Sequence, residues 1–279
     1  MRWVQELKGQ GDEVPKLVEK GKSKFAGPEL KGKKLGVIGL GAIGVMVCNT
    51  ARHFGMDVYG YDPYLSVENA LKLSRSIIHA SSYKEIYENC DFITFHVPLT
   101  PETKGMVNSQ SIAMMKHGVR ILNFSRGELV DNADMIAAVE EKQVYCYITD
   151  FATDDILGNY GIIVLPHLAA STPESEDNCA EMAADELRDF LENGNIANSV
   201  NMPTVHAERS GLCRVTLMHK NTPGMLAQIS GTVGSNIDNL TNKSRGDLAY
   251  TLIDLDTGIS DDILQKLKNI DGVIRVTVL

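Results

Sequence analysis

The chain has 279 residues, of which 43% are hydrophobic and 23% charged, so it is long enough for about two domains with real hydrophobic cores. Its 27 basic and 36 acidic residues give a net charge of −9, which argues against a nucleic-acid or anionic-membrane surface and favours small-molecule partners. The five cysteines are odd in number, lie in apolar segments and lack metal-site spacing, which predicts reduced core thiols, no metal and a cytoplasmic protein.

Short β-branched runs alternate with helical patterns from residue 34 to about residue 168, after an initial helical segment at residues 2–7. This alternation is typical of a parallel sheet with crossover helices. The predicted strands are residues 34–38, 57–61, 76–79, 91–96, 120–124, 144–150 and 162–165. Ligands bind at the carboxyl ends of the strands in such sheets, so the residues after each strand are candidates for a site.

The first predicted strand runs into a G-x-G-x-x-G turn formed by Gly39, Gly41 and Gly44, and a helix is expected from Ala42. The spacing suits a tight turn, a close backbone approach to a pyrophosphate and close packing of helix on strand. Asp62 ends the next strand, where a carboxylate can accept both hydroxyls of an adenosine ribose and repels a 2′-phosphate. The pattern predicts a Rossmann-like, doubly wound α/β sheet that binds NAD in preference to NADP.

Beyond the sheet, residues 173–192 form a predicted helix, which Gly194 ends. The polar segment 195–209 has the composition of a linker. The remaining segments follow the order β-α-β-β-α-β, which predicts a small ferredoxin-like domain of about 70 residues. Its predicted elements are residues 212–218, 224–233, 236–242, 249–254, 260–267 and 273–279.

Arg126 and His167 follow two of the predicted strands. An arginine fork can hold a carboxylate in a bidentate manner and polarise a carbonyl, and a histidine can accept or return a hydroxyl proton. Because both residues follow strands of a nucleotide-binding sheet, they form a pair suited to a 2-hydroxy acid.

Five segments resemble the NAD-dependent D-2-hydroxyacid dehydrogenases, and within that family they are most similar to the D-3-phosphoglycerate dehydrogenases. They are residues 35–44, 61–64, 96–100, 123–131 and 166–172. The last 70 residues resemble an ACT domain, a regulatory module that binds amino acids. The resemblance implies four parts: a remnant of the substrate domain (1–32), the NAD-binding domain (33–168), a return helix with linker (169–209) and the ACT domain (210–279).

The resemblance also implies a reaction, the oxidation of 3-phosphoglycerate to 3-phosphohydroxypyruvate with NAD at the start of serine synthesis. His167 is then the acid/base, Arg126 binds the substrate carboxylate and carbonyl, and Asp155 takes the place of a glutamate that orients the histidine. The cofactor-binding positions that it implies are Gly39, Gly41, Ala42, Ile43, Gly44, Asp62, Val97, Pro98, Ser125, Arg126, Asp150, His167 and Ala169.

Three departures from the family bear on activity. Asp155 is one methylene shorter than glutamate, about 1.5 Å of reach, and Ala169 stands where the family usually has glycine. A further domain-sized segment is expected ahead of residues 2–7 in the family, and the chain is expected to begin after it. The alternative interpretations are therefore a catalytically weak or silent regulatory protein that binds NAD and serine, and a corepressor-like scaffold.

The ACT resemblance implies serine as an allosteric effector, bound where two such domains pair across a two-fold axis. The matching positions are His219, Asn221 and Asn236. Both resemblances favour a homo-oligomer of at least two subunits.

Overall fold

The computed structural model describes residues 2–279 and divides the chain into two compact units that meet between His167 and Leu168. The first unit is built on a seven-stranded sheet and the second on a four-stranded sheet. Each unit is described below by itself.

All seven strands of the first unit are parallel and follow the spatial order β3-β2-β1-β4-β5-β6-β7. Chain progression reverses between β1 and β4, so the loops after these two strands diverge and leave a crevice at the carboxyl edge. The predicted α/β, Rossmann-like fold class is confirmed. The strands are β1 (Lys34–Ile38), β2 (Asp57–Tyr61), β3 (Ile78–His79), β4 (Phe92–Phe95), β5 (Val119–Asn123), β6 (Val144–Thr149) and β7 (Ile162–Val164).

Hydrophobic residues of β1 are buried on both faces of the sheet, as the unbroken apolar run predicts. Leu35 and Val37 pack into the core under one helix layer, and Ile38 packs into the core on the other face with Phe95 and Ile121. The helices of this unit are α1 (Arg2–Glu6), α2 (Val14–Gly21), α3 (Ala42–His53), α4 (Val67–Lys72), α5 (Tyr83–Asn89), α6 (Ser109–Ala113) and α7 (Asn132–Glu140).

The third predicted strand is shorter than expected. Residues 76–79 are predicted to be extended, but only Ile78 and His79 pair with β2. Ile77 N–H donates to the carbonyl of Ser74, and the Ser76 hydroxyl accepts from the distant Arg52, so these two bonds hold the first half of the segment in a turn. Serine hydroxyls favour such turns over a ladder.

The second unit consists of α8 (Pro173–Asn193) followed by a βαββαβ fold with strand order β11-β8-β10-β9, all antiparallel. Helices α9 and α10 pack on one face of this sheet over Val215, Leu217 and Ile253. The elements are β8 (Cys213–Lys220), α9 (Met225–Val233), β9 (Ile237–Arg245), β10 (Leu248–Leu255), α10 (Asp261–Lys268) and β11 (Val273–Val278).

The segment predicted to be a linker, residues 195–209, packs on the other face of the small sheet. Ile196 and Val205 exchange two backbone hydrogen bonds of 2.8 and 2.9 Å and are buried beside Tyr250. The segment predicted to be a linker is thus packed against the sheet in the structure. Its apolar residues, spread among three asparagines and one proline, form no periodic pattern that would have predicted the burial.

The cysteines are all free thiols, and only three of the five are buried, namely Cys48, Cys90 and Cys213. Burial raises the pKa of both Cys48 and Cys90 to about 12, so these two thiols are unreactive. Cys146 is half-buried and Cys179 is exposed on α8, which corrects the prediction that all five are core residues. Within residues 2–279, no helix has both the length and the apolar character needed to cross a membrane.

Candidate active site

The glycines after β1 are placed as the motif requires. A side chain at Gly39 would overlap the backbone of His96, and one at Gly44 would overlap the carbonyl of Gly39, whereas a side chain at Gly41 would meet open space. Helix α3 begins at Ala42 with no side-chain cap on its first turn. Gly39 and Gly44 therefore bring helix and strand together, and the N–H groups of the first turn of α3, which no side chain caps, can donate to an anion.

Asp62, directly after β2, has its carboxylate fixed by backbone donors. Leu40 N–H donates to Oδ2 and Tyr64 N–H donates to Oδ1, each at 2.8 Å. The carboxylate is half-buried and retains lone pairs for further donors, since each oxygen can accept more than one hydrogen bond. This fixed orientation next to the glycine turn suits the hydroxyls of a ribose.

The loops after β4 and β5 are tied to each other. The Ser125 hydroxyl donates to the carbonyl of Val97 at 2.6 Å, and the buried Asn123 amide donates to the carbonyl of Arg126 at 2.9 Å. Pro98 is exposed beside them. These bonds hold the two loops, which lie on the β4 side of the crevice, in one arrangement.

The Arg126 side chain is exposed, and its Nη1 donates to the carbonyl of Ser125 at 2.6 Å. It forms no ion pair with any side chain that the structure describes. The guanidinium therefore has donors available for a ligand carboxylate.

A cavity of about 830 Å³ lies beside the ends of β5, β6 and β7. Its lining residues include Lys104, Gly127, Glu128, Asn132, Asp150, Phe151 and His167. Its volume is within the usual range for a small-molecule site. Arg126 adjoins the cavity through Gly127 but does not line it.

Asp150 is the polar group that points to a ligand in this cavity. It is only 7% exposed, and its Oδ1 has no hydrogen-bond partner, the one such buried side-chain atom within residues 2–279. A buried carboxylate oxygen without a donor is costly. An amide N–H of a bound molecule satisfies it, and NAD has such an amide on its nicotinamide ring, so the residues present fit this cofactor.

His167 lies at the exposed edge of the cavity, where its ring makes an edge-to-face contact with Phe151, with ring centroids 5.1 Å apart and an angle of 83°. Within residues 2–279, Asp155 forms no hydrogen bond or ion pair with His167. The Asp155 carboxylate instead accepts from the Asn132 amide at 3.0 Å. Hydrogen bonds to Thr153 and Asn132 lower the pKa of Asp155, so this carboxylate is ionised at neutral pH.

Phe151 and Asn132 were absent from the sequence predictions. Phe151 follows Asp150 at a strand end, so its position in the chain could have indicated it. Asn132 begins α7 and nothing in its local sequence links it to Asp155, 23 residues later. Ala169 lies in the second unit, two residues after His167.

The three predicted effector residues are not brought together within one chain. His219 is 2% exposed and both of its ring nitrogens are hydrogen-bonded, to the carbonyl of Lys220 and to the Thr251 hydroxyl. Asn221 follows the end of β8, whereas Asn236 precedes β9, whose first residue is level with the opposite end of β8 across the intervening β10. The length of β8 separates them by about 23 Å, so one ligand could contact both only if two copies contributed.

Residues 3–172 match the family model described as D-isomer specific 2-hydroxyacid dehydrogenase, NAD binding domain. Two relatives called D-3-phosphoglycerate dehydrogenase are each 33% identical to this chain. The Haemophilus influenzae protein matches over 92% of this chain and 65% of its own length. The Bacillus subtilis protein matches over 81% of this chain and 42% of its own length. The chain thus spans less than two thirds of either relative.

Among solved structures, D-lactate dehydrogenase from Aquifex aeolicus, complexed with NAD and lactic acid, is 29% identical. It superposes with a TM-score of 0.55 over 68% of this chain and 62% of that chain.

Proposed function

The chain belongs to the D-isomer specific 2-hydroxyacid dehydrogenases through its NAD-binding domain, and on that premise we propose that it takes part in the NAD-dependent oxidation of 3-phosphoglycerate to 3-phosphohydroxypyruvate. The observation that supports this best is the unpartnered Oδ1 of Asp150 in a cavity that His167 also lines. The substrate is taken from the names of the two relatives described above.

In this proposal the residues that follow β1, β2, β4, β5 and β6 hold the cofactor. The turn at Gly39, Gly41 and Gly44 and the open first turn of α3 receive the pyrophosphate, and Asp62 accepts from the ribose hydroxyls. Val97, Pro98 and Ser125 form the wall of the crevice, and Asp150 accepts from the nicotinamide amide. When bound, NAD supplies the acceptor for the hydride that leaves the substrate carbon.

The chemistry left to the protein is proton transfer and charge stabilisation. A ring nitrogen of His167 accepts the hydroxyl proton as the carbonyl forms, and returns it in the reverse direction. Arg126 binds the substrate carboxylate and the developing carbonyl with its planar fork. Arg126 and His167 follow β5 and β7, two strands apart in one sheet, or about 10 Å across, and this spacing leaves room for a substrate between them.

The test is turnover by the purified chain, followed as NADH formation from 3-phosphoglycerate and NAD, beside an NADH fluorescence titration. D-glycerate, which lacks the phosphate, is the matched substrate control. We expect NADH binding and faster turnover of the phosphorylated substrate. NADH binding with no preference for 3-phosphoglycerate would contradict the substrate, and absence of NADH binding would contradict the proposal as a whole.

A second candidate is a catalytically weak protein that binds NAD and serine, and the pairing of Asp155 with Asn132 favours it. A histidine base that lacks its acidic partner is less well oriented and its charged form is less stabilised. Asp155→Ala separates the two candidates. It lowers turnover if Asp155 reaches His167 during the reaction and leaves turnover unchanged if the pair with Asn132 persists.

Serine as the effector is a further part of the proposal. Because Asn221 and Asn236 lie at opposite ends of β8, serine binding through both requires a pair of chains. Calorimetry with serine, together with sedimentation at increasing protein concentration, tests it. Serine binding that tightens as the dimer forms is expected, and Asn221→Ala should weaken it while leaving NADH affinity unchanged.

A further inference from the structure

Phe151 contacts two parts of the candidate site at once. It follows Asp150 at the end of β6 and is half-buried, and its backbone N–H donates to the Thr149 hydroxyl at 3.2 Å. This bond fixes the start of the loop after β6. The Phe151 side chain is therefore presented to the cavity from the central strand of the three that border it.

One side of Phe151 meets His167. The two rings lie edge to face, with centroids 5.1 Å apart. This is a preferred geometry for aromatic pairs, and it restricts rotation of the imidazole about its side-chain bonds. His167 is otherwise exposed, and the expected carboxylate, Asp155, is bonded to Asn132.

The other side of Phe151 packs on the turn that follows Arg126. A Cβ atom at Gly127 would lie 3.1 Å from the Cβ of Phe151 and 3.4 Å from its Cγ. Such contacts are shorter than ordinary van der Waals separation, so glycine at this position lets Phe151 lie directly against the backbone. Phe151 thus lies between the turn after β5 and the histidine after β7.

We infer that Phe151 is a positioning residue, which sets the location of the His167 imidazole relative to the turn that bears Arg126. The inference rests on the proposed function, since it assigns importance to the relative position of these two groups. Phe151 contributes no proton or charge. It acts through the two residues that it contacts, in the absence of an acidic partner for the histidine among the described residues.

The contact is tested without turnover, by proton–carbon NMR of the histidine rings in the full chain free of cofactor. The chain has seven histidines, and His167→Asn identifies the signal of residue 167 by its loss. In Phe151→Leu, we expect this signal alone to move to the position of a freely rotating exposed histidine, because the ring current of the phenyl group is removed. Phe151→Tyr, which keeps the ring, should leave it in place.

Two further variants keep the test decisive if Phe151→Leu folds poorly. Gly127→Ala retains the ring but pushes it by a few tenths of an ångström, so a partial shift of the His167 signal is expected. Phe54→Leu, the same change on an exposed side chain after α3, is the matched control and should shift nothing at His167. If the His167 signal shifts in neither Phe151→Leu nor Gly127→Ala, the inference is overturned.

Turnover of 3-phosphoglycerate then gives an independent readout. In Phe151→Leu, kcat should fall about ten- to a hundredfold, since small misplacements of reacting groups are that costly, while KM and NADH affinity change little. An equal change in KM instead would contradict a positioning role. If the wild-type chain shows no turnover but the NMR shifts occur, the proposed function fails and the positioning contact stands.

Discussion

The two units of this protein each bury an aspartate at one sheet, and the two carboxylates are treated differently. Asp254 of the small sheet is fully buried, and it accepts from Arg214 Nε at 2.6 Å, from Arg214 Nη2 at 2.8 Å and from Ser210. Asp150 of the parallel sheet has an Oδ1 with no donor. The first carboxylate is completed by its own chain, and the second is completed by a ligand in our proposal.

The histidines show the same contrast. His219 is buried, and both of its ring nitrogens form hydrogen bonds within its own sheet. His167 is exposed beside a cavity, and its ring packs edge to face with Phe151. A buried polar group without a partner lowers stability, so such a group is expected at a position where it hydrogen-bonds a ligand. The contrast predicts that substitutions at the parallel sheet change binding and turnover, and that substitutions at the small sheet change stability.

The largest expected effect is at the histidines. His167→Asn should lower kcat by about 10²- to 10⁴-fold, the usual contribution of a general acid or base, without changing thermal stability. His219→Asn should lower the stability of the second unit and leave NADH affinity unchanged. NADH formation and thermal unfolding, measured on both variants, test these two predictions. A loss of stability in His167→Asn would contradict the proposed difference between the two histidines.

The aspartates come next. Asp254→Ala leaves Arg214 buried without a counter-charge and should cost about 3–5 kcal/mol, seen as faster hydrogen exchange across the second unit. Asp150→Ala removes a buried oxygen that has no partner, so stability should change by less than about 1 kcal/mol.

NADH affinity separates the same two variants. Loss of a hydrogen bond to a charged group should weaken NADH binding about ten- to a hundredfold in Asp150→Ala and leave it unchanged in Asp254→Ala. The single tryptophan, Trp3, lies on α1 in the first unit, so its fluorescence does not report on the second unit, and hydrogen exchange, which resolves the two units, is preferable for measuring stability. Unchanged affinity in Asp150→Ala would contradict its role in cofactor binding.

Acid should destabilise the second unit through Asp254. Burial opposes ionisation of this carboxyl, but its bonds from Arg214 and Ser210 more than offset that cost and hold its pKa below the ordinary value. Because the pKa of Asp254 is lower in the folded than in the unfolded protein, its ionised form stabilises the fold. This contribution to the free energy of unfolding is fully present above the unfolded-state pKa, about 3.9, and is lost as the pH falls through the folded-state pKa.

Hydrogen exchange between pH 3 and pH 6, roughly spanning the carboxylate range, measures this dependence. Asp256→Asn, at an exposed position after β10, is the control and should keep the acid sensitivity. Asp254→Asn should lose the part of the acid sensitivity that comes from the ion pair of Asp254 with Arg214. If both variants respond to acid in the same way, the buried pair is not the source.

The smallest expected effects distinguish two glycines of the first unit. Gly41→Ala introduces a methyl group into open space, so folding should be unaffected, while NADH affinity falls about tenfold because the methyl group meets the pyrophosphate. Gly44→Ala collides with the carbonyl of Gly39 and should lower stability as well. Gly231→Ala on α9, also facing open space, is the control and should retain full NADH affinity.

Much of the fold was predictable because its signals are local. The glycine turn, the apolar run of β1 and the acid after β2 are contiguous in the chain, and their spacing alone places them at strand ends. Strand β3 begins two residues later than predicted, since hydrogen bonds of Ser76 to Ser74 and to Arg52 hold the first half of that segment in a turn. The packing of segment 195–209 was not predicted because it depends partly on Tyr250 and Leu252 of β10, which are more than 40 residues away in the chain.

The α/β order of elements, the dinucleotide turn and the strand-end positions of Arg126 and His167 can be read from the chain alone, since periodicity and short motifs depend on neighbours in the chain. Three other features require the folded chain: the pairing of Asp155 with Asn132, the place of Phe151 between two strand-end loops, and the lack of a donor at Asp150 where Asp254 has several. These outcomes depend on which distant side chains come within hydrogen-bonding or packing distance. That is set by the register of strands and the course of loops, for which one-dimensional spacing has no signal.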